Sequence, residues 1–429
     1  MKVIIVGGGI GGLTTALSLH EAGIETVVFE AARRVDALGL GVNLQPNAVR
    51  ELTELGLADK LASVAWPIEE LAFYTRRGQR IWSEPRGLAG GYRWPQYAVN
   101  RGMLQLALFD EACARLGRDR VVTGHILEAF EQDEAGVTAY FNAPDSRERI
   151  HSERGDILIG ADGLHSVVRG HFYPDQKLHY AGQLMWRTSV PDAPFLSGHT
   201  MIIAGHRNQK VVAYPMQPLA DGRAMLNVIT ELAEPGDAPP REDWNRKVDK
   251  AQFAARFKDW TFDWLDVPSL IDRAESFFEF PKIDRDPVPQ WTFGRVTLMG
   301  DAAHPMQPVG SQAGSQAIVD ARVLAFHLAR GADPRAALKQ YESERLPPMR
   351  EVALRNRAMG AEIVMDLVEE RAPDGFTDID DVLPRAEREQ RAAEFKKTAG
   401  LDAQHLNERP SYSVGLASSP QSAKQGRAT

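Results

Sequence analysis

MKVIIVGGGIGGLTTALSLHEAGIETVVFE, residues 1–30, opens the chain and decides its fold. A β-branched run, Val3 to Val6, meets a cluster of glycines. Apolar residues then recur at Leu13, Leu17 and Leu19 until Gly23 stops the pattern, and a second apolar run, Thr26 to Phe29, ends on Glu30. Read by period, this is strand, turn, helix, strand. Two strands joined by such a helix lie parallel, with a right-handed crossover.

At the junction of the first strand and helix, Gly7, Gly9 and Gly12 satisfy G-x-G-x-x-G, and Glu30 stands at the end of the second strand. The spacing has a physical sense. Gly7 allows the tight turn, Gly9 lets a pyrophosphate approach the backbone, and Gly12 lets helix and strand pack closely. The helix N-terminus favours the negative charge of a phosphate, and a carboxylate at position 30 accepts from ribose hydroxyls. The alternative, an ordinary glycine-rich turn, lacks a reason for the flanking strand, helix and acid. These thirty residues therefore predict a dinucleotide-binding domain.

Two further stretches repeat the device of an acid beside glycines at the end of an apolar strand. One is GDILIGADG, residues 155–163, followed by Ser166 and Arg169; the other is GDAAHP, residues 300–305. Each alone could be a capped turn before a helix. Elsewhere, helical spacing runs from Pro46 to Leu61 and from Arg101 to Leu116, and apolar strands separated by Gly, Asp and Pro fill 182–230. The expected class is α/β, a Rossmann-like dinucleotide-binding domain with an inserted sheet-containing substrate domain and a helical C-terminal region. The expected boundaries are 1–75, 98–180 and 275–370 for the nucleotide domain, and 76–97 with 181–274 for the substrate domain. A helical region over 371–400 and a flexible tail over 401–429 complete it.

Composition sets the outer limits. The chain has 429 residues, 43% hydrophobic and 25% charged, enough for two or three domains with real cores. A net charge of −8 argues against a nucleic-acid or anionic-membrane partner. The single cysteine, Cys113, can build neither an intramolecular disulfide nor a thiolate metal site, so no metal is expected. No apolar run approaches the roughly 18 residues that would cross a bilayer. The reading is a cytoplasmic protein without a membrane anchor.

Taken in order, the three motifs resemble the single-component, FAD-dependent aromatic hydroxylases of the para-hydroxybenzoate hydroxylase type, over roughly residues 1–370. The wording LGLGVNLQPNAV, WPQYAVNRGMLQ, LMWR and VAYP resembles the phenazine branch of that family. The resemblance implies FAD as cofactor, NAD(P)H as co-substrate, and hydroxylation of a small aromatic or heteroaromatic ring by O2 activated at flavin C4a. A carboxylated ring, with loss of the carboxyl group during hydroxylation, falls within that class.

Position by position, the resemblance gives Gly7, Gly9, Gly11 and Gly12 to the ADP half of FAD, Glu30 to the adenosine ribose and Leu127 to the adenine. Gly41 and Val42 lie beside the flavin through their backbones. Arg101 serves the pyrophosphate or ribityl region, and Asp162 belongs to a motif shared by FAD and the nicotinamide. Gly300 and Asp301 serve the ribityl chain, and the turn Pro308 to Ser315, with Gly314, presents N–H groups to the isoalloxazine. Tyr214 and Pro305 are the expected substrate contacts. The family's G-x-G-x-N after the proline is altered here to Ser311-Gln312-Ala313-Gly314-Ser315, with Gly310 displaced. Trp82, Tyr92, Trp94 and Tyr97 read as packing somewhat ahead of a substrate wall, while Trp186, Tyr214, Met216 and Met225 read equally as core or as pocket lining. No catalytic base is named. A homodimer is compatible with the sequence. A flavin oxidoreductase that inserts no oxygen, and a non-catalytic flavin-binding protein, stay open as alternatives.

Overall fold

The computed structural model describes residues 1–36, 40–236, 238–239 and 246–414. Six strands form the nucleotide sheet, in the order Thr292–Phe293, Val296–Leu298, Ile157–Gly160, Lys2–Val6, Glu25–Glu30 and Val121–Thr123. All neighbours are parallel except the first pair. Val6 pairs with Gly160 and Gly160 with Leu298, so three strands end level with one another. Each of the three glycine–acid turns follows one of these ends. A crevice outside the carboxyl ends of parallel strands is where such sheets bind ligands.

The helices Ile10–Glu21 and Ala313–Arg330 pack against each other over this sheet. Ile4, Ile5, Leu13 and Leu17 are wholly buried there, each contributing about 1.5–3 kcal/mol. A three-stranded sheet, Ile126–Gln132, Val137–Asn142 and Arg149–Gly155, flanks the nucleotide sheet.

The substrate sheet has eight strands. Its order is Arg246–Val248, Phe277–Arg285, Leu178–Asp192, Ala224–Ala233, Gln209–Pro218, Thr200–His206, Glu70–Tyr74 and Arg80–Pro85. It therefore reaches beyond the expected 76–97 and 181–274 at both ends. Glu70–Tyr74 and Phe277–Arg285 join it because their partners, 200–206 and 178–187, are distant in sequence. A small sheet of Gly41–Leu44, Gln96–Asn100 and Ala65–Ile68 lies between the two domains.

Two other expectations are corrected. The single helix over 46–61 is two helices, Pro46–Glu54 and Ala58–Val64, because Gly56 adopts φ +76° and breaks the ladder. Residues 401–414 are not a free tail. They contain a short helix, Ala403–Glu408, with Leu401 and Leu406 buried, and Arg409 pairs with Glu51 while Tyr412 bonds Glu344 at 2.6 Å. The remainder of the expected tail, 415–429, lies outside the described residues.

Candidate active site

The first turn is built around close backbone approaches. Gly7, at φ +109°, donates to the Phe29 carbonyl at 2.8 Å, and a Cβ there would fall on the Ala161 carbonyl oxygen. A Cβ on Gly12 would fall on the Gly7 carbonyl oxygen, which is the close helix-to-strand packing the motif calls for. Gly11 faces Ala317 and Met299, so its smallness lets the two helices meet. Gly9 differs from all three: a Cβ there would meet nothing within 4 Å. That space lies at the start of the Ile10–Glu21 helix, the position a pyrophosphate takes in this fold. Glu30 braces the loop, accepting from the Gly8 amide at 2.6 Å and the Ala32 amide at 2.8 Å. Gln105, which sequence reasoning missed, donates to the Gly8 carbonyl at 2.9 Å. It stands one turn after Arg101 on the same helix, a spacing that could have flagged it. Leu127 is buried in the core of this domain.

The second turn is tied to the third. Asp162 supports the start of the helix Val167–Phe172, whose N-cap is Ser166, accepting from the Ser166 hydroxyl at 2.5 Å and the Val167 amide at 2.7 Å. Burial raises its pKa, while these donors oppose the shift. Arg169, from that helix, donates to the carbonyls of Ala302 and Ala303 at 2.8 and 2.7 Å. Burial lowers the Arg169 pKa to about 10, with repulsion from Arg285 adding to it. The Met299 amide completes the link by donating to the Gly160 carbonyl at 3.0 Å.

In the third turn Gly300 takes φ +54° and its amide donates to Asp320 at 3.0 Å. Asp301 is exposed, with no hydrogen bond or ion pair among the described residues, so its carboxylate is free to accept hydroxyls. Pro305 is buried. His304 is structural: its Nε2 meets Asp320 at 2.5 Å. Asp320 also takes Arg345 Nε at 2.7 Å, and its contacts with His304 and Arg345 outweigh burial to hold its pKa at about 2. The altered motif forms a tight corner in which Gly310 and Ser311 both have positive φ, 67° and 54°. The corner feeds the Ala313–Arg330 helix, whose Ser315 hydroxyl accepts from the Gln45 amide at 3.0 Å. A Cβ on Gly314 would lie 3.6 Å from Val42, so the strand Gly41–Leu44 and this helix start face each other.

The substrate sheet closes over Gly41. A Cβ on that glycine would be 2.8 Å from both Asn227 and the Tyr214 ring. The Gly41 amide donates to Asn227 Oδ1 at 2.8 Å and its carbonyl accepts from Arg187 Nη2 at 2.6 Å. Gly41 pairs with Asn100, and the amide of the next residue, Arg101, donates to the Leu40 carbonyl at 3.0 Å. Trp186 turns to the other face of the sheet, stacked on Phe253 at 4.7 Å and donating to Glu279, so it is packing. Met216 is fully buried. Tyr92 bonds the Leu401 carbonyl and Trp94 lies under Arg50, so both secure neighbouring chain segments.

These features fit FAD. The first turn offers an open cradle at Gly9 with an acid beside it, the third offers an unpaired carboxylate at Asp301, and the strands that carry them are separated by Ile157–Gly160 alone. A family model described as an FAD binding domain matches residues 1–356. The chain belongs to the FAD-dependent aromatic hydroxylases. The hydroxylase is 41% identical over 361 residues to the phenazine 1,6-dicarboxylic acid hydroxylase PhzS of Lysobacter antibioticus, covering 83% of this chain and 89% of that one. It is 32% identical over 356 residues to 3-hydroxybenzoate 6-hydroxylase 1 of Aquipseudomonas alcaligenes, covering 80% and 84%. Among solved structures, Klebsiella pneumoniae HpxO complexed with FAD and uric acid superposes with a TM-score of 0.72 at 25% identity, covering 94% and 96%. The hydroxylase is thus an FAD-dependent monooxygenase that inserts oxygen into an aromatic substrate, with NAD(P)H as co-substrate.

Proposed function

We propose that the hydroxylase acts on a carboxylated, fused-ring heteroaromatic of the phenazine type. The observation that carries this is the 41% identity to a phenazine dicarboxylic acid hydroxylase across 83% of the chain. The substrate sheet supports it, because its face toward Gly41 combines apolar Val212, Ile229 and Met225 with the polar end formed by Tyr214, Asn227 and Arg187. A flat apolar slot with a few convergent polar groups suits a planar ring bearing one ionised substituent.

When bound, FAD would supply the activation of dioxygen and the transfer of a hydroxyl group to the ring. The chain's own residues do the rest. Gly9 and the helix start behind it would receive the pyrophosphate, with Arg101 alongside. Glu30 would hold the adenosine ribose, Leu127 the adenine surroundings and Asp301 the ribityl hydroxyls. The turn 308–315, through the amides that follow Pro308, and the strand Gly41–Leu44 would border the ring system, with donors placed for the negative charge of its reduced form. Asp162 would act through the turn it supports rather than through a free side chain. Tyr214, whose hydroxyl burial pushes up to about 12, stays protonated and donates to the substrate. Pro305 would close the opposite wall. The sheet excludes water, which protects an oxygen-transferring flavin from wasteful breakdown. One cysteine and a requirement for reduced nicotinamide favour the cytoplasm, and a homodimer is compatible with this architecture.

The substrate class is tested by NAD(P)H consumption against phenazine carboxylates, salicylates, hydroxybenzoates and quinolones. We expect the phenazine carboxylates to stimulate consumption most, with hydroxylated product formed in proportion. Stimulation by hydroxybenzoates alone would overturn the fused-ring assignment.

A further inference from the structure

On the face of the substrate sheet that meets Gly41, the buried cations fall into two groups. Lys210 pairs with Glu362 at 2.7 Å and Glu231 at 3.3 Å, and Lys282 pairs with Glu231 at 2.9 Å, so both lysines are neutralised. Arg187 has no carboxylate partner among the described residues. It stands opposite Ile229, and Tyr214 stands opposite Asn227, so all four side chains share one face. Nη2 of Arg187 is engaged by the Gly41 carbonyl, while Nε is enclosed without a hydrogen-bond partner. Nδ2 of Asn227 is enclosed and unpartnered in the same way. Arg187 as a whole keeps some accessible surface, while Asn227 is fully buried. Burial pulls the Arg187 pKa down, with the Tyr214 phenol opposing and the nearby Arg101 guanidinium adding to the fall.

An enclosed guanidinium without a counter-charge is costly unless something anionic completes it. We propose that Arg187, with Asn227 and Tyr214 beside it, is the anchor for an aryl carboxylate of the substrate and sets the enzyme's preference for acids over their neutral amides. The assignment rests on the substrate class proposed above. The planar fork of arginine suits a carboxylate, which it can hold through two parallel N–H donors. Because the same guanidinium grips the Gly41 carbonyl, the anchor also fixes the substrate relative to the strand that borders the flavin.

The test is ligand titration of the FAD-loaded enzyme, read by perturbation of the flavin absorbance. The ligands are phenazine-1-carboxylate and its carboxamide, and 3-hydroxybenzoate and its amide. The proteins are the wild type, Arg187→Gln and Arg187→Lys. In Arg187→Gln the carboxylates should bind on the order of 30-fold more weakly or worse, while the amides change by no more than about 3-fold. Arg187→Lys should recover part of the loss, and FAD retention should match the wild type in both variants. Equal weakening of acid and amide, or loss of FAD itself, would overturn the anchor. A wild type that prefers neither acid over its amide would also overturn it. Binding of the benzoate pair without the phenazine pair would reject the fused-ring substrate reading alone, and the Arg187 comparison would then be made on the benzoates.

Discussion

Asp320→Ala should lower the stability of the hydroxylase by about 3–5 kcal/mol, the cost of leaving buried charges without their partner. Asp320 is fully buried and holds three groups at once: the Gly300 amide and His304 Nε2 of the third turn, and Arg345 Nε of the helix Pro334–Arg357. Removing it strands the Arg345 guanidinium in the core and releases the turn that carries Asp301. Urea unfolding at neutral pH measures the loss, and a change below about 1 kcal/mol would contradict this role. The same carboxylate makes an acid-sensitive contribution. Its folded pKa of about 2 lies below the unfolded value of about 3.9, so the stabilisation is complete above the unfolded pKa and disappears as pH falls through the folded one. The amount at stake is about 2–3 kcal/mol. The wild type should therefore lose stability between about pH 4 and pH 2 more steeply than Asp320→Ala does.

The second large effect is expected at Gly7. An alanine there would be strained by φ +109° and would drive its Cβ into the Ala161 carbonyl. Left-handed backbone alone costs an L-residue about 1–2 kcal/mol, and the clash forces apart two strands whose ends form the site. Gly7→Ala should purify with little or no bound flavin and unfold at markedly lower urea. Gly9→Ala separates the two causes, because its φ is −75° and its Cβ would enter open space. That variant should keep its stability within about 0.5 kcal/mol and still hold flavin less tightly. Full flavin retention in Gly9→Ala would show that the open space is not where the pyrophosphate lies.

The parts of the molecule legible in the sequence are those where local pattern and burial coincide. The strands Lys2–Val6, after its first residue, and Ile157–Gly160 are buried and carry no polar side chain because both faces are covered by packing, and Gly7 after the first stands where backbone meets backbone. The helix Arg101–Leu116 carries its own start signal, Asn100 accepting from the Gly102 and Met103 amides. What escaped is tertiary. Arg187 and Asn227 belong to strands that meet only through the sheet, and neither sits in a glycine–acid motif. The docking of 401–414 depends on two apolar residues, Leu401 and Leu406, in an otherwise polar stretch, and on partners such as Glu51 more than three hundred positions earlier. Asp162 reads as a ligand residue in sequence, and in space its carboxylate also accepts from the Ser166 hydroxyl and the Val167 amide, since both settings favour a short carboxylate after a strand.

That the three turns serve an oxygen-inserting flavin is tested most directly by turnover under isotopically labelled dioxygen, with mass spectrometry of the hydroxylated product. One labelled oxygen atom from dioxygen should appear in each molecule of product, with none from labelled water. A product that takes its oxygen from water, or turnover that oxidises the substrate without adding oxygen, would contradict the account.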